Sequence, residues 1–128
     1  MKTHIKANLC KIMNLGIRGN LFGGDMLKWL DEAGAILAVE ETGGYVVTIK
    51  FSEVVFKVPV KERDIVHIHG EVVTIGNTSL TVDLEATVKD VIVCSAEVVF
   101  VHVDSDGFKK PIDEKHRQNI IDKYGLMK

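Results

Sequence analysis

Asn20-Leu21-Phe22-Gly23-Gly24-Asp25-Met26-Leu27-Lys28-Trp29-Leu30-Asp31-Glu32-Ala33-Gly34 sets a two-glycine turn and a carboxylate into an otherwise apolar helix. The helical pattern runs from about Phe22 to Glu41. Met26, Leu27, Trp29, Leu30, Ala33, Ile36, Leu37 and Ala38 make it apolar on more than one face, so it needs to be wrapped by other elements. Asp25, Lys28 and Glu32 fall at i, i+3 and i+7 and form one solvated edge. Asp31 lies further round, toward Gly24 and beside Leu27, Gly34 and Ala35, and is the carboxylate that needs an explanation.

Outward from this helix the chain changes character. Gly43-Gly44 ends the helix, and valine, isoleucine and threonine dominate from Tyr45 to Val103. Tyr45 to Lys57 forms a long strand whose inward set shifts midway, as a bulge would cause, and Pro59 closes it. Asp64 to Thr74 forms the next strand, Gly76-Asn77 a tight turn and Thr78 to Lys89 a third strand, with Leu80, Val82, Leu84 and Ala86 alternating against Thr81, Asp83, Glu85 and Thr87. Val91 to Asp104 is the last strand, with Ile92, Cys94, Ala96, Val98 and Phe100 on one face, and Ser105-Asp106-Gly107 turns the chain away. The polar, alternating N-terminus starts a further strand, which makes about five strands and one long helix.

A helix apolar on several faces is satisfied only by a sheet that curls around it. The expected class is therefore α+β, with a central helix and an antiparallel sheet; the order strand, helix, four strands lacks the β-α-β alternation of a doubly wound sheet. Residues 1–111 are expected to form one domain. Residues 112–128 form a charged tail, a short helix or partly disordered, in which Ile120, Ile121, Tyr124 and Leu126 are apolar.

The whole chain has 128 residues, 46% of them hydrophobic, which fits one domain. A formal charge of −2 and no long basic run argue against nucleic acid as a partner. Cys10 and Cys94 lack metal-ligand spacing, and no signal peptide or spanning apolar run is seen, so a cytoplasmic protein with free thiols and no membrane partner is expected. His67 and His69, at i and i+2, share a strand face, but no third clustered ligand accompanies them, so no metal is expected. His4, His102 and His116 are scattered and have structural or solvent-facing roles, Trp29 is a core residue, and Cys94 is a buried inert thiol. The Lys109-Lys110 and Lys115-His116-Arg117 clusters, taken alone, are solvated faces.

Taken in order, the motifs resemble the hotdog-fold acyl-CoA thioesterases, in the branch of small bacterial and cytosolic acyl-CoA hydrolases. Gly19-Asn20-Leu21-Phe22-Gly23-Gly24 with Met26 to Ala33 is similar to the family's Gly-Asn-x-Phe-Gly-Gly and Met/Leu-Asp-Glu-Ala signature. Phe56-Lys57-Val58-Pro59-Val60, Gly76-Asn77-Thr78-Ser79, and Phe100 to Asp104 before Gly107 resemble three further motifs, so the likeness spans about Asn8 to Pro111. Two departures stand out. Gly16 occupies a position where the family often has Asn, with Asn14 displaced by two residues, and Arg63-Asp64 replaces a Gly-Asp turn.

The resemblance implies a hotdog fold and hydrolysis of acyl-CoA to carboxylic acid and CoA without a bound cofactor. It also implies a dimer, joined further into hexamers or tetramers, whose active site lies between subunits. Gly23 and Gly24 at the helix start offer free backbone N–H groups at the positive end of the helix dipole, a suitable oxyanion hole. Asp31 is the general base or the nucleophile. By the same resemblance Thr78 and Ser79 donate hydrogen bonds to CoA, and Lys109 or Lys110 meets its phosphates. A non-catalytic acyl-CoA or acyl-carrier binding protein on the same scaffold is the alternative, motivated by Gly16. A dehydratase of this fold fits less well, because those enzymes pair a His with the Asp and this helix has no His.

Overall fold

The computed structural model describes residues 1–127. Strand β1 (Thr3–Leu9) is followed by a short 3-10 turn at Ile12–Asn14, helix α1 (Gly23–Thr42), strands β2 (Tyr45–Phe56), β3 (Ile65–Ile75), β4 (Ser79–Val88) and β5 (Val91–Val103), and helix α2 (Glu114–Tyr124). All five strands join one antiparallel sheet in the order β1-β3-β4-β5-β2. The two edges are thus β1 and β2.

Helix α1 stops where expected, with Gly43 in the left-handed conformation at φ 70° and its N–H donated to the Val39 carbonyl. Its buried residues are Met26, Trp29, Leu30, Ala33, Gly34, Leu37, Ala38 and Thr42, a single broad stripe at i, i+3, i+4 spacing. The wrapping expected from the sequence covers this stripe and not every apolar residue of the helix. Ile36 and Val39 remain 40% and 45% exposed, because one curled sheet covers only the stripe that faces it. At the closest approach the chain has no room for a side chain: a Cβ on Gly34 would stand 2.8 Å from the Phe100 ring and 3.3 Å from Leu84. Gly34 therefore lets α1 settle onto β4 and β5. Leu30, Leu84 and Phe100 are fully enclosed, and burying each side chain contributes about 1.5–3 kcal/mol.

The inward alternation of β4 holds at Leu80, Val82, Leu84 and Ala86, and that of β5 holds from Cys94 to Phe100. Ile92 is 36% exposed, so it leaves the inward set, and Val93 takes its place. The slip follows from an irregularity in pairing between Ala86 and Thr87, beside this end of β5. The shift expected within β2 is present twice, between Thr48 and Lys50 and between Phe51 and Glu53. Asp113 caps α2 by accepting from the His116 N–H at 2.9 Å, and Ile120 and Ile121 bury this helix's inner face.

Among the described residues, no helix is long and apolar enough to cross a membrane.

Candidate active site

The two-glycine turn becomes the first turn of α1. Phe22 is the residue before it, in extended conformation, and its carbonyl accepts from the Asp25 and Met26 N–H groups at 3.0 and 3.2 Å. The Gly23 and Gly24 N–H groups precede the first intrahelical bonds, at the positive end of the helix. At Gly24 a Cβ would come within 2.6 Å of the Phe22 ring, an exposed side chain that can turn aside. At Gly23 a Cβ would meet the Phe56 ring at 3.6 Å, which is ordinary contact. A cleft of about 430 Å³ opens here, lined by Leu21, Gly23, Met26, Phe56, Val60 and Val93 among others. Its walls are largely apolar.

Asp31 stands elsewhere. Eight residues from Gly23 at 1.5 Å per residue place it about 12 Å further along the axis. It is half-buried, and the Thr48 hydroxyl donates to its Oδ1 at 2.6 Å. This bond crosses from the helix to β2, the edge strand with one unpaired side. Thr48 was not legible as a site residue, because the contact depends on how far β2 curls over α1. The nearest sequence signal is the shift in β2, whose first irregularity begins at Thr48.

The solvated edge expected at Asp25, Lys28 and Glu32 is corrected at its first member. Asp25 is half-buried and accepts from Asn14 Nδ2 at 3.1 Å, while Asn14 Oδ1 accepts from the Lys11 N–H at 2.9 Å. Asn14 thereby ties the preceding loop to the first turn of α1. Glu32 is exposed and pairs with Lys6 at 3.2 Å.

Thr78, Ser79, Lys109 and Lys110 come together at one end of the sheet. The Thr78 carbonyl accepts from the His102 N–H at 2.7 Å, the Lys110 N–H donates to the His102 carbonyl at 3.0 Å, and Lys109 bridges to Val103. Both lysines are exposed, while Thr78 and Ser79 are half-buried. This end adjoins the finish of α1, since Tyr45 pairs with Val103. Within one chain, these four residues are therefore remote from Gly23 and Gly24. A second cavity of about 340 Å³ lies there, bounded by Thr42, Tyr45, His102, Asp104, Lys110 and Asp113 among others. His102 is more than scattered: it is buried and pairs through Nδ1 with the Lys110 carbonyl at 2.7 Å.

Cys94 is fully buried, and burial pushes its thiol up to about 11, with Lys57 opposing the shift. That environment keeps it protonated and unreactive at neutral pH, in keeping with an inert thiol.

The arrangement has close counterparts. The model of the Thioesterase superfamily matches residues 18–95. An uncharacterized acyl-CoA thioester hydrolase of Buchnera aphidicola subsp. Schizaphis graminum is 37% identical over 100 residues, covering 73% of this chain and 74% of its own. Acyl-CoA thioester hydrolase YciA of Salmonella typhimurium is 34% identical over 103 residues, covering 73% and 77%. A solved structure, that of a hexameric hotdog fold thioesterase of Campylobacter jejuni, superposes with a TM-score of 0.88 at 36% identity, over 96% of each chain. The sheet curled on one long helix is the hotdog fold, and the glycine turn, helix α1 and strand β2, which carry Gly23, Gly24, Asp31 and Thr48, all lie within the matched residues. The chain belongs to the Thioesterase superfamily.

Proposed function

We propose that this protein is an acyl-CoA thioesterase, hydrolysing acyl-CoA to free acid and CoA at sites completed by a homodimer. The observation that carries this reading is the split along α1. The oxyanion donors and the carboxylate are about 12 Å apart on one helix, too far to meet at a single thioester carbon. A two-fold pairing of β2 edges resolves the split. It would be antiparallel about the middle of the strand, near Lys50 and Phe51, bringing the Phe56 end of one protomer to the Tyr45 end of the other. Gly23 sits against Phe56 and Asp31 is held by Thr48. The helix start of one protomer therefore approaches Asp31 of its partner. Exposed Tyr45, Val47, Ile49, Val55 and Phe56 supply apolar area for such a seam.

In this reading the Gly23 and Gly24 N–H groups polarise the thioester carbonyl, and the apolar cleft at the helix start receives the acyl chain. Thr48 occupies Asp31 Oδ1, leaving Oδ2 either to take a proton from water or to attack the carbonyl. A single turnover in ¹⁸O-labelled water that places label in the Asp31 carboxylate identifies attack, with water opening the Asp31–acyl anhydride at the Asp31 carbonyl, because general-base catalysis labels only the product acid. Thr78, Ser79, Lys109 and Lys110 lie at the end of α1 to which the two-fold also brings the partner's helix start. We assign them to the CoA moiety, with the lysines meeting phosphate. Each step uses groups of the chain, water and the thioester. Residues 1–111 form the catalytic domain, and the segment that follows packs Ile112 and Ile120 against it, with Ile121 also buried. The hexameric relative extends the expectation to a trimer of such dimers, in the cytoplasm where acyl-CoA is found.

The test is thiol release from acyl-CoA substrates of graded chain length by wild type and Asp31→Asn. Turnover by wild type and its loss in an Asp31→Asn protein of unchanged oligomeric state are expected. Unimpaired hydrolysis by Asp31→Asn would refute the mechanism. Tight acyl-CoA binding without turnover by wild type would establish the non-catalytic alternative.

A further inference from the structure

The outer face of the sheet carries three histidines that the proposed reaction does not use. His67 and His69 stand on β3, and β1 brings in a third, since His4 pairs in register with His69. The contact that forms is diagonal: His4 Nε2 lies 3.1 Å from His67 Nδ1, with ring centroids 5.2 Å apart and planes tilted by 53°. The irregularity between His4 and Lys6 accompanies this offset. The His69 ring meets His4 edge-on with centroids 5.1 Å apart. His4 is exposed and the other two are half-buried, so the cluster is open to solvent.

We propose that His4 and His67 form a two-histidine chelate for a divalent transition-metal ion of the zinc type, clamping edge strand β1 to β3. The geometry supports this directly. Zinc–imidazole bonds of about 2.0–2.1 Å at a tetrahedral angle set two ligand nitrogens about 3.3 Å apart, close to the spacing between these two. The approach of these nitrogens already requires one to donate and one to accept, so each ring is fixed with a defined nitrogen facing the other. A metal ion bound to both nitrogens stands about 1.2 Å to one side of the line between them, so the two rings turn to aim their lone pairs at it and the shared hydrogen is displaced. The displaced proton moves to the far nitrogen of its own ring, leaving both imidazoles neutral and both facing lone pairs on the ion. Among the described residues, no group of three or more His, Cys, Asp or Glu side chains is placed to hold a metal ion, so water completes the coordination and the site is of the open kind. Lys6 does not compete, because its ammonium is engaged by Glu32 at 3.2 Å. Glu85 lies opposite His69 in register and adds a nearby negative charge.

The site joins two strands that are far apart in sequence, so occupancy is linked to folding: an ion that binds only the paired strands raises the stability of the β1 edge. The probe is Zn²⁺ alone, added to the protein in a non-chelating buffer and followed by calorimetric titration and thermal melting. About one ion per chain and a melting temperature that rises with zinc are expected, both lost in His4→Gln and in His67→Gln. Since these two rings are exposed or half-exposed, Gln leaves the metal-free melting temperature near that of wild type, and circular dichroism checks this. His69→Gln retains the ion. The inference is overturned if wild type takes up no zinc, if either His4→Gln or His67→Gln still binds it as wild type does, or if His69→Gln loses it as fully as His67→Gln. Thiol release from acyl-CoA is measured on the same samples; it depends on Asp31 and not on this cluster, so the two readings fail separately.

Discussion

Thr48→Val isolates one bond of the candidate site. Valine keeps the branched shape and the strand preference of threonine but removes the hydroxyl that donates to Asp31 Oδ1 at 2.6 Å. A short bond from a hydroxyl to a carboxylate is charge-assisted, and such bonds contribute about 1.5–3 kcal/mol. Thr48 is exposed in the single chain, which puts the value at the lower end. About 1.4 kcal/mol corresponds to a rate loss of about tenfold. The loss should fall on kcat, with little change in KM, because the bond aims the carboxylate and does not grip CoA. Thr48→Ser retains the hydroxyl and should recover most of the rate. The assay is continuous detection of released thiol, with circular dichroism and sedimentation to check fold and assembly. An unchanged kcat in Thr48→Val, or a Thr48→Ser enzyme as slow as Thr48→Val, would refute the claim that this hydroxyl positions Asp31.

Gly34, Ile49 and Cys94 offer three further tests. Gly34→Ala drives a methyl to 2.8 Å from the Phe100 ring, and overpacking at this fully enclosed contact should cost about 1–3 kcal/mol, read as a lowered denaturation midpoint in urea. Ile49→Lys places a charge on the exposed apolar run of β2; sedimentation should show dissociation to monomers, with thiol release lost in parallel, and an active monomer would remove the case for a shared site. Cys94 has its folded pKa raised from 9.0 to about 11, so the folded state keeps its proton where the unfolded chain loses it. Its contribution to stability is intact below about pH 9 and is lost as the pH rises through about 11, to a limit near 3 kcal/mol. Urea titrations of wild type and Cys94→Ala across that range should converge as the pH rises, and a constant gap would contradict the shift.

The period of the hydrophobic residues carried most of the fold. Strict alternation from Leu80 to Ala86 sets the buried face of β4, and Gly43 stops α1 at the left-handed position where a side chain would be strained. Long-range contacts were less legible. Nothing local announces that Thr48 reaches Asp31 or that Asn14 reaches Asp25, because each pair is made by the path of the chain between them. Ile36 shows the limit of periodicity: its apolarity suggested enclosure, yet a single sheet leaves it in the open. His67 shows another, since the ring against it is His4, from a strand remote in sequence, and not His69 two residues along. Gly23, Gly24 and Asp31 stood out by residue type, while the axial distance that separates their roles came from the helix itself.

That axial distance has a genetic consequence. On the proposed shared site, a protomer damaged at Gly24 and a protomer damaged at Asp31 would each lack a different half of every site they build, so neither homodimer would work. When the two are mixed, a dimer with one of each carries both lesions at one site and neither at the other. Random reassortment makes about half of the dimers mixed, each with one sound site, so two inactive proteins should together restore about a quarter of the wild-type sites. A site contained in one protomer would restore none. Two defective alleles in one cell would thus rescue each other, with neither sequence changed.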